Sequence, residues 1–138
     1  MTLSFFVQGT PVPQGSLSAF VSHTTKKIIS PQKPKLVAWR KLIAAAAVSA
    51  IRNYRHEQLK VDGPKRVWLV FYLARPKKPK HERHVTKPDI DKLARSCLDA
   101  ITGTLVLDDS QVAELYASKE YVGEICRDTG VWIKVESL

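Results

Sequence analysis

Val67-Trp68-Leu69-Val70-Phe71-Tyr72-Leu73 decides the fold, because it is apolar at both alternating sets of positions. Such a run reads as a strand inside a sheet that is covered over much of both sides. Arg75-Pro76-Lys77-Lys78-Pro79-Lys80-His81-Glu82-Arg83-His84-Val85-Thr86-Lys87-Pro88 follows as a proline-punctuated basic loop. Pro88 biases Lys87 towards an extended backbone, and Asp89 and Asp91 suit the start of a helix. Ile90, Leu93, Ala94, Cys97, Leu98 and Ile101 give that helix its apolar side, and Gly103 can end it. Two more strands are predicted near 111–121 and 130–136, the last with Val131, Ile133 and Val135 alternating.

Upstream of the strand, Asp62-Gly63-Pro64 is a turn. Before it, Leu36, Trp39, Ile43, Ala47, Ala50, Ile51 and Tyr54 recur at helical spacing, and Ser30-Pro31 and Lys33-Pro34 punctuate the chain ahead of them. Trp39 and Trp68 read as core, whereas Trp132 alternates opposite the last strand's valines and suits an interface. Ser4 to Gln8 is a short first strand ended by turn formers from Gly9 to Gly15, and a small hairpin is expected around 19–29. The sum is one α+β domain over residues 1–138, with a single mixed sheet and two main helices.

The 138 residues carry 22 Lys and Arg against 13 Asp and Glu, a net charge of +9. The split is uneven: residues 1–80 contribute +13, with Glu57 and Asp62 as their only acids, and residues 81–138 contribute −4. A surplus of this size suits a polyanion, since each cation near a phosphate releases condensed counterions. No apolar run exceeds eight residues, against about 20 for a bilayer span, so no membrane role is expected. The N-terminus lacks a basic start and a long apolar stretch, which predicts a cytoplasmic protein. Cys97 and Cys126 are too few for a disulfide scaffold and read as reduced thiols.

The chemistry points to carboxylates. Asp89 and Asp91 stand two apart at a helix start, and Asp108-Asp109 follows the far end of the same helix. A dozen helical residues span roughly 18 Å, so Asp109 meets Asp89 only if the chain runs back along the helix through 103–107. Three converging carboxylates would repel one another and call for a hard divalent cation, with Mg²⁺ as the common choice. The basic loop would deliver a phosphate backbone to that cation. Against this stands the ordinary use of a helix-start aspartate as a cap. Asp99 lies four residues after Arg95, on nearly one helix face, and is expected to pair with it. Asp108 would point to the opposite side from Asp109, as a helper or a solvated charge. His81 and His84 lack a third soft ligand nearby, which argues against zinc.

Lys87-Pro88-Asp89-Ile90-Asp91-Lys92-Leu93, then Leu98-Asp99-Ala100-Ile101, then Leu107-Asp108-Asp109-Ser110-Gln111-Val112 resembles the signature of the RusA family of Holliday-junction resolvases. Val7 to Gly15 is similar to that family's first strand and turn. The resemblance implies a phage- or prophage-type homodimeric, Mg²⁺-dependent endonuclease that nicks four-way DNA junctions symmetrically in recombination and repair, with Mn²⁺ as the substitute cation. It implies metal-binding roles for Asp89, Asp91 and Asp109, and it places Arg95 where the family has a catalytic lysine. Arg keeps the charge but does not readily give up a proton. Lys92 stands where the family usually has Asn, and Ser16-Leu17-Ser18 where many members have an Arg-rich turn. Lys119 matches a basic position expected to face DNA, together with Arg75, Lys77, Lys78, Lys80, Arg83 and Lys87. The expected function is therefore junction cleavage; the alternative is a non-catalytic junction- or duplex-binding protein whose acids are caps and solvated charge.

Overall fold

The computed structural model describes residues 2–15, 33–54 and 62–138. Their elements run β1 (Thr2–Gln8), α1 (Lys33–Asn53), β2 (Lys65–Leu73), α2 (Ile90–Ile101), β3 (Val112–Tyr121) and β4 (Gly130–Ser137), with a turn of 3-10 helix at Asp109–Gln111 leading into β3. The fold is α+β, with a mixed sheet and two helices, as the sequence predicts. The hairpin expected over 19–29 and the turn at Ser16-Leu17-Ser18 lie outside the described residues.

The sheet order is β1-β4-β2-β3. β4 pairs antiparallel with β1 and with β2, while β2 and β3 are parallel. Parallel neighbours need a crossover, and α2 supplies it. The helix therefore runs back along the sheet: it starts where β2 and β3 finish, and it ends where they begin. That direction governs where each acid falls.

Leu3 and Val7 of β1, Val131, Ile133 and Val135 of β4, and Val67, Leu69, Phe71 and Leu73 of β2 share one face through their register. The helices bury that face. Trp39, Ile43 and Ala47 of α1 are buried, and the rest of the expected stripe, Leu36, Ala50, Ile51 and Tyr54, packs against the core. Leu93, Cys97 and Ile101 complete it from α2. Phe71 is fully buried, so Phe71→Ala should cost about 3–5 kcal/mol, read as a lowered midpoint in urea unfolding.

The other face corrects two expectations. Among the described residues no helix packs on it, and β2 alternates fully buried positions with half-buried ones instead of burying both sets. Trp68 lies there and not in the core. Its ring stacks on Tyr116 at 5.7 Å between centroids, and the Lys134 ammonium sits 4.5 Å from the ring centre. Phe6 and Tyr72 meet edge-on at 6.3 Å. Large aromatic rings and long cationic stems shield each other sideways across neighbouring strands. An apolar alternation can thus satisfy itself laterally, without a second covering layer.

Candidate active site at the start of helix α2

Asp89 occupies the N-cap of α2 in an extended conformation, yet its side chain makes no capping hydrogen bond. Its carboxylate instead accepts from Lys92 Nζ at 3.1 Å, one turn on. That bond, together with the charges of Lys92, Lys87 and Lys119, holds the Asp89 carboxyl below the usual range. Asp91 follows, exposed, in the first turn, and Arg95 is exposed one turn further along. The capping role that competes with a ligand role is therefore not what Asp89 does.

The approach to Asp89 is built by residues distant in sequence. The Lys87–Pro88 peptide is cis, and Lys119 Nζ donates to the carbonyls of Thr86 at 2.8 Å and Pro88 at 3.0 Å. Lys119 shares its register position with the buried Phe71, on the helix-covered face of the sheet. The structure thus gives its ammonium two carbonyl partners from the same chain, one of them exposed, where the resemblance had turned it towards DNA. Lys119→Gln should slow any cleavage about 10–100-fold through misplacement of Asp89. Junction affinity should hardly change, and Lys119→Arg should recover part of the rate; single-turnover rates beside gel-shift titrations check this.

Across from Asp89, Pro11 and Pro13 face Lys87, Pro88 and Lys92 over an open cleft of about 400 Å³. The turn bearing these prolines is fixed to α2 twice. Gln14 N donates to the Lys92 carbonyl at 3.0 Å, and Gln14 Nε2 donates to Asp99 Oδ2. Asp99 therefore answers to Gln14 and not, as expected, to Arg95. Sequence reasoning missed this wall, and the only sign of it was the run of turn formers ahead of Gln14.

Asp109 does not join Asp89 and Asp91. The segment meant to carry it back coils instead: Gly103, at φ +90°, donates to the Val106 carbonyl at 2.7 Å, while Leu105 N bonds to Ile101 O at 3.0 Å. Leu105 and Val106 are fully buried, so this stretch spends its length plugging the core under the helix end. Asp108 then caps the 3-10 turn, accepting from Ser110 N at 2.8 Å, while the Gln111 side chain accepts from Leu107 N at 2.6 Å and donates to the Gly63 carbonyl at 3.1 Å. Asp-x-x-Gln at 108–111 is a capping-box pattern that was open to view in the sequence. The Ser110 amide lowers the Asp108 carboxyl; a hydrogen bond shared with Asp108, and the charges of Asp108 and Asp99, raise that of Asp109.

The gap is large. Asp89 follows Pro88, which is tied to Lys119, whereas Asp109 precedes Val112, seven residues back along β3. Strand rise makes that about 23 Å. Among the described residues no three His, Cys, Asp or Glu side chains form a metal-holding group.

The loop entering this site is an exposed cationic surface. Arg75, Lys77, Lys78, Lys80, Arg83 and Lys87 are all exposed. The loop is steadied by His84, whose ring meets Tyr121 edge-on at 5.5 Å, and by Arg83 at 4.0 Å from Glu120. Burial, and then the charge of Lys119, push the His84 pKa down. No described helix is long and apolar enough to cross a membrane.

The chain is 30% identical over 134 residues to "Uncharacterized protein YqaN" of Bacillus subtilis (strain 168), covering 88% of this chain and 89% of that protein. Residues 8–136 match the family described as endodeoxyribonuclease RusA, a span that takes in the proline wall, the basic loop, α2 and every candidate acid. The chain belongs to the RusA endodeoxyribonuclease family, whose members act on Holliday junctions.

Proposed function

We propose that this protein is a divalent-cation-dependent endonuclease that binds four-way DNA junctions as a two-fold homodimer and resolves them by paired symmetric nicks, in recombination and repair. The observation that carries this reading is the state of Asp89: at a helix start but free of capping duty, held ionised by Lys92, beside Asp91 and below a loop of exposed cations. The donors fit a hard cation, because Mg²⁺ is commonly held by one or two carboxylates with phosphate and water oxygens filling the rest, and Mn²⁺ accepts the same ligands. When bound, such a cation polarises a phosphoryl oxygen and makes water a better nucleophile.

The chain's own residues supply the remainder. The loop from Arg75 to Lys87 draws in and aligns the phosphate backbone. Lys119 fixes the carbonyls immediately ahead of Asp89, so the ligand pair keeps its place. Arg95 offsets charge developing on the phosphate, a task a guanidinium does well, whereas proton transfer is closed to it. A two-fold dimer presents two equivalent sites to two equivalent strands.

A second reading, junction binding without cleavage, is favoured by one observation, the distance of Asp109 from the other two acids. Chelation separates the two. With Mg²⁺ a labelled four-way junction should be cut and a linear duplex of the same sequence left nearly intact; in excess chelator cutting should stop while the gel shift persists. Undiminished cutting in chelator would remove the cation from the account.

A further inference from the structure

Two lysines, Lys87 and Lys92, line the cleft beside Asp89, with Pro11, Pro13 and Pro88 making up the rest of its wall. Among the described residues Lys92 alone forms an ion pair with Asp89, its ammonium 3.1 Å from Oδ2. The carboxylate that accepts this ammonium is the one that the reading above gives to a divalent cation. Positive charges crowded onto one carboxylate repel each other, so the ammonium competes for the place it covers.

The pivot of this contact is fixed and its end is loose. The Lys92 carbonyl accepts from Gln14 N at 3.0 Å, and Leu93 N donates to the Asp89 carbonyl at 3.1 Å, so the backbone on both sides of the side chain is pinned. The side chain itself is 45% exposed and its partner carboxylate 49% exposed, and an ion pair so open to water is weak and screened by salt. An ammonium on a flexible four-carbon stem can turn to another acceptor at little cost. A phosphate in the cleft would offer one, between Lys92 and Lys87. Lys119 has no such freedom, because two backbone carbonyls hold its ammonium.

We propose that Lys92 is an internal counter-ion that keeps the Asp89 carboxylate covered until a DNA phosphate enters the cleft and takes the ammonium over. This rests on the nuclease reading above. Cation affinity is then low in the free protein and rises when the junction binds. The coupling is reciprocal, so the cation tightens junction binding by the same factor. Cutting is thereby restrained where no substrate fills the cleft.

Mn²⁺ binding to the free protein, followed by electron paramagnetic resonance, tests the first half. Lys92→Met keeps the stem and removes the charge; it should bind Mn²⁺ about 3–10-fold more tightly than the wild type, while Lys92→Arg should stay near the wild type. Asp91→Asn added to Lys92→Met should abolish the gain, which locates it at this site. Circular dichroism checks that each variant folds. Junction affinity by fluorescence anisotropy, in chelator and in Ca²⁺, a cation that takes the same oxygen ligands, tests the second half. The factor by which Ca²⁺ tightens junction binding should be several-fold larger in the wild type than in Lys92→Met. In a protein that cuts the junction, equal Mn²⁺ affinities for wild type and Lys92→Met overturn the proposal. So do a gain matched by Lys92→Arg, a gain that survives Asp91→Asn, or equal Ca²⁺ factors. A wild type that cuts nothing and binds no Mn²⁺, beside a Lys92→Met variant that does neither, removes the nuclease reading instead.

Discussion

An Asp91→Asn variant is expected to lose junction cleavage by about 10³-fold or more while binding the junction as tightly as the wild type, or more tightly. The substitution keeps shape and hydrogen-bonding capacity but removes one of the two formal charges at the start of α2. Cation-assisted phosphodiester hydrolysis draws several kcal/mol of charge stabilisation from that centre, and each 1.4 kcal/mol or so is a factor of ten in rate. Asp91 is exposed and takes no part in the core, so the fold should be untouched. Loss of a negative charge beside a cationic loop can only favour a polyanion. Parallel single-turnover cleavage and gel-shift titration check both halves, and equal losses in each would point to a structural role for Asp91.

The second large effect belongs to the basic loop. Replacing Arg75, Lys77, Lys78 and Lys80 together by Gln should weaken junction binding by one to three orders of magnitude near physiological salt. It should also flatten the dependence of log K on log salt by about 0.9 for every charge that had sat on a phosphate. All four side chains are exposed and none forms an ion pair among the described residues. Their loss therefore leaves no buried partner behind, and the thermal midpoint should hold. Cleavage of bound junction at saturating protein should fall far less than affinity does, because the loop delivers substrate and the start of α2 acts on it. Fluorescence anisotropy over a range of salt concentrations gives the slope directly.

Much of this was legible from residue order. The spacing in α1 and the alternation in β4 predicted which side chains are buried, because hydrophobic periodicity reports directly on which face meets the core. The order of basic loop, Asp89, Asp91 and helix placed loop and acids in contact, since they are adjacent in the chain. What failed were contacts made by side chains far apart in sequence. Apolarity on both faces of β2 could not distinguish a second covering layer from the lateral stacking of Trp68 on Tyr116. Lys119 looked like any surface cation until the parallel register set it beside Phe71 and under the loop. The distance from Asp89 to Asp109 hung on whether 103–107 ran extended or coiled, and burial of Leu105 and Val106 decided for the coil. Gly103 hinted at it, because its positive φ favours a tight reversal.

The charge asymmetry takes on a sharper meaning in this light. Residues 81–138 carry the negative balance, yet their acids do separate things. Asp108 caps a turn, Asp99 anchors the proline wall, Glu114 and Glu136 pair with Arg66, and Asp89 stands ionised at a helix start with no cap to make. An acid freed from structural duty and kept charged by neighbouring lysines is what phosphodiester chemistry requires.

Junction resolution is tested most simply by mapping strand breaks in a four-way junction labelled in turn on each of its four strands, incubated with the wild-type protein and Mg²⁺. Nicks are expected in two opposed strands at positions related by the two-fold of the junction, yielding two nicked duplexes. A junction bound in full in the presence of Mg²⁺, with all four strands intact, would contradict this expectation.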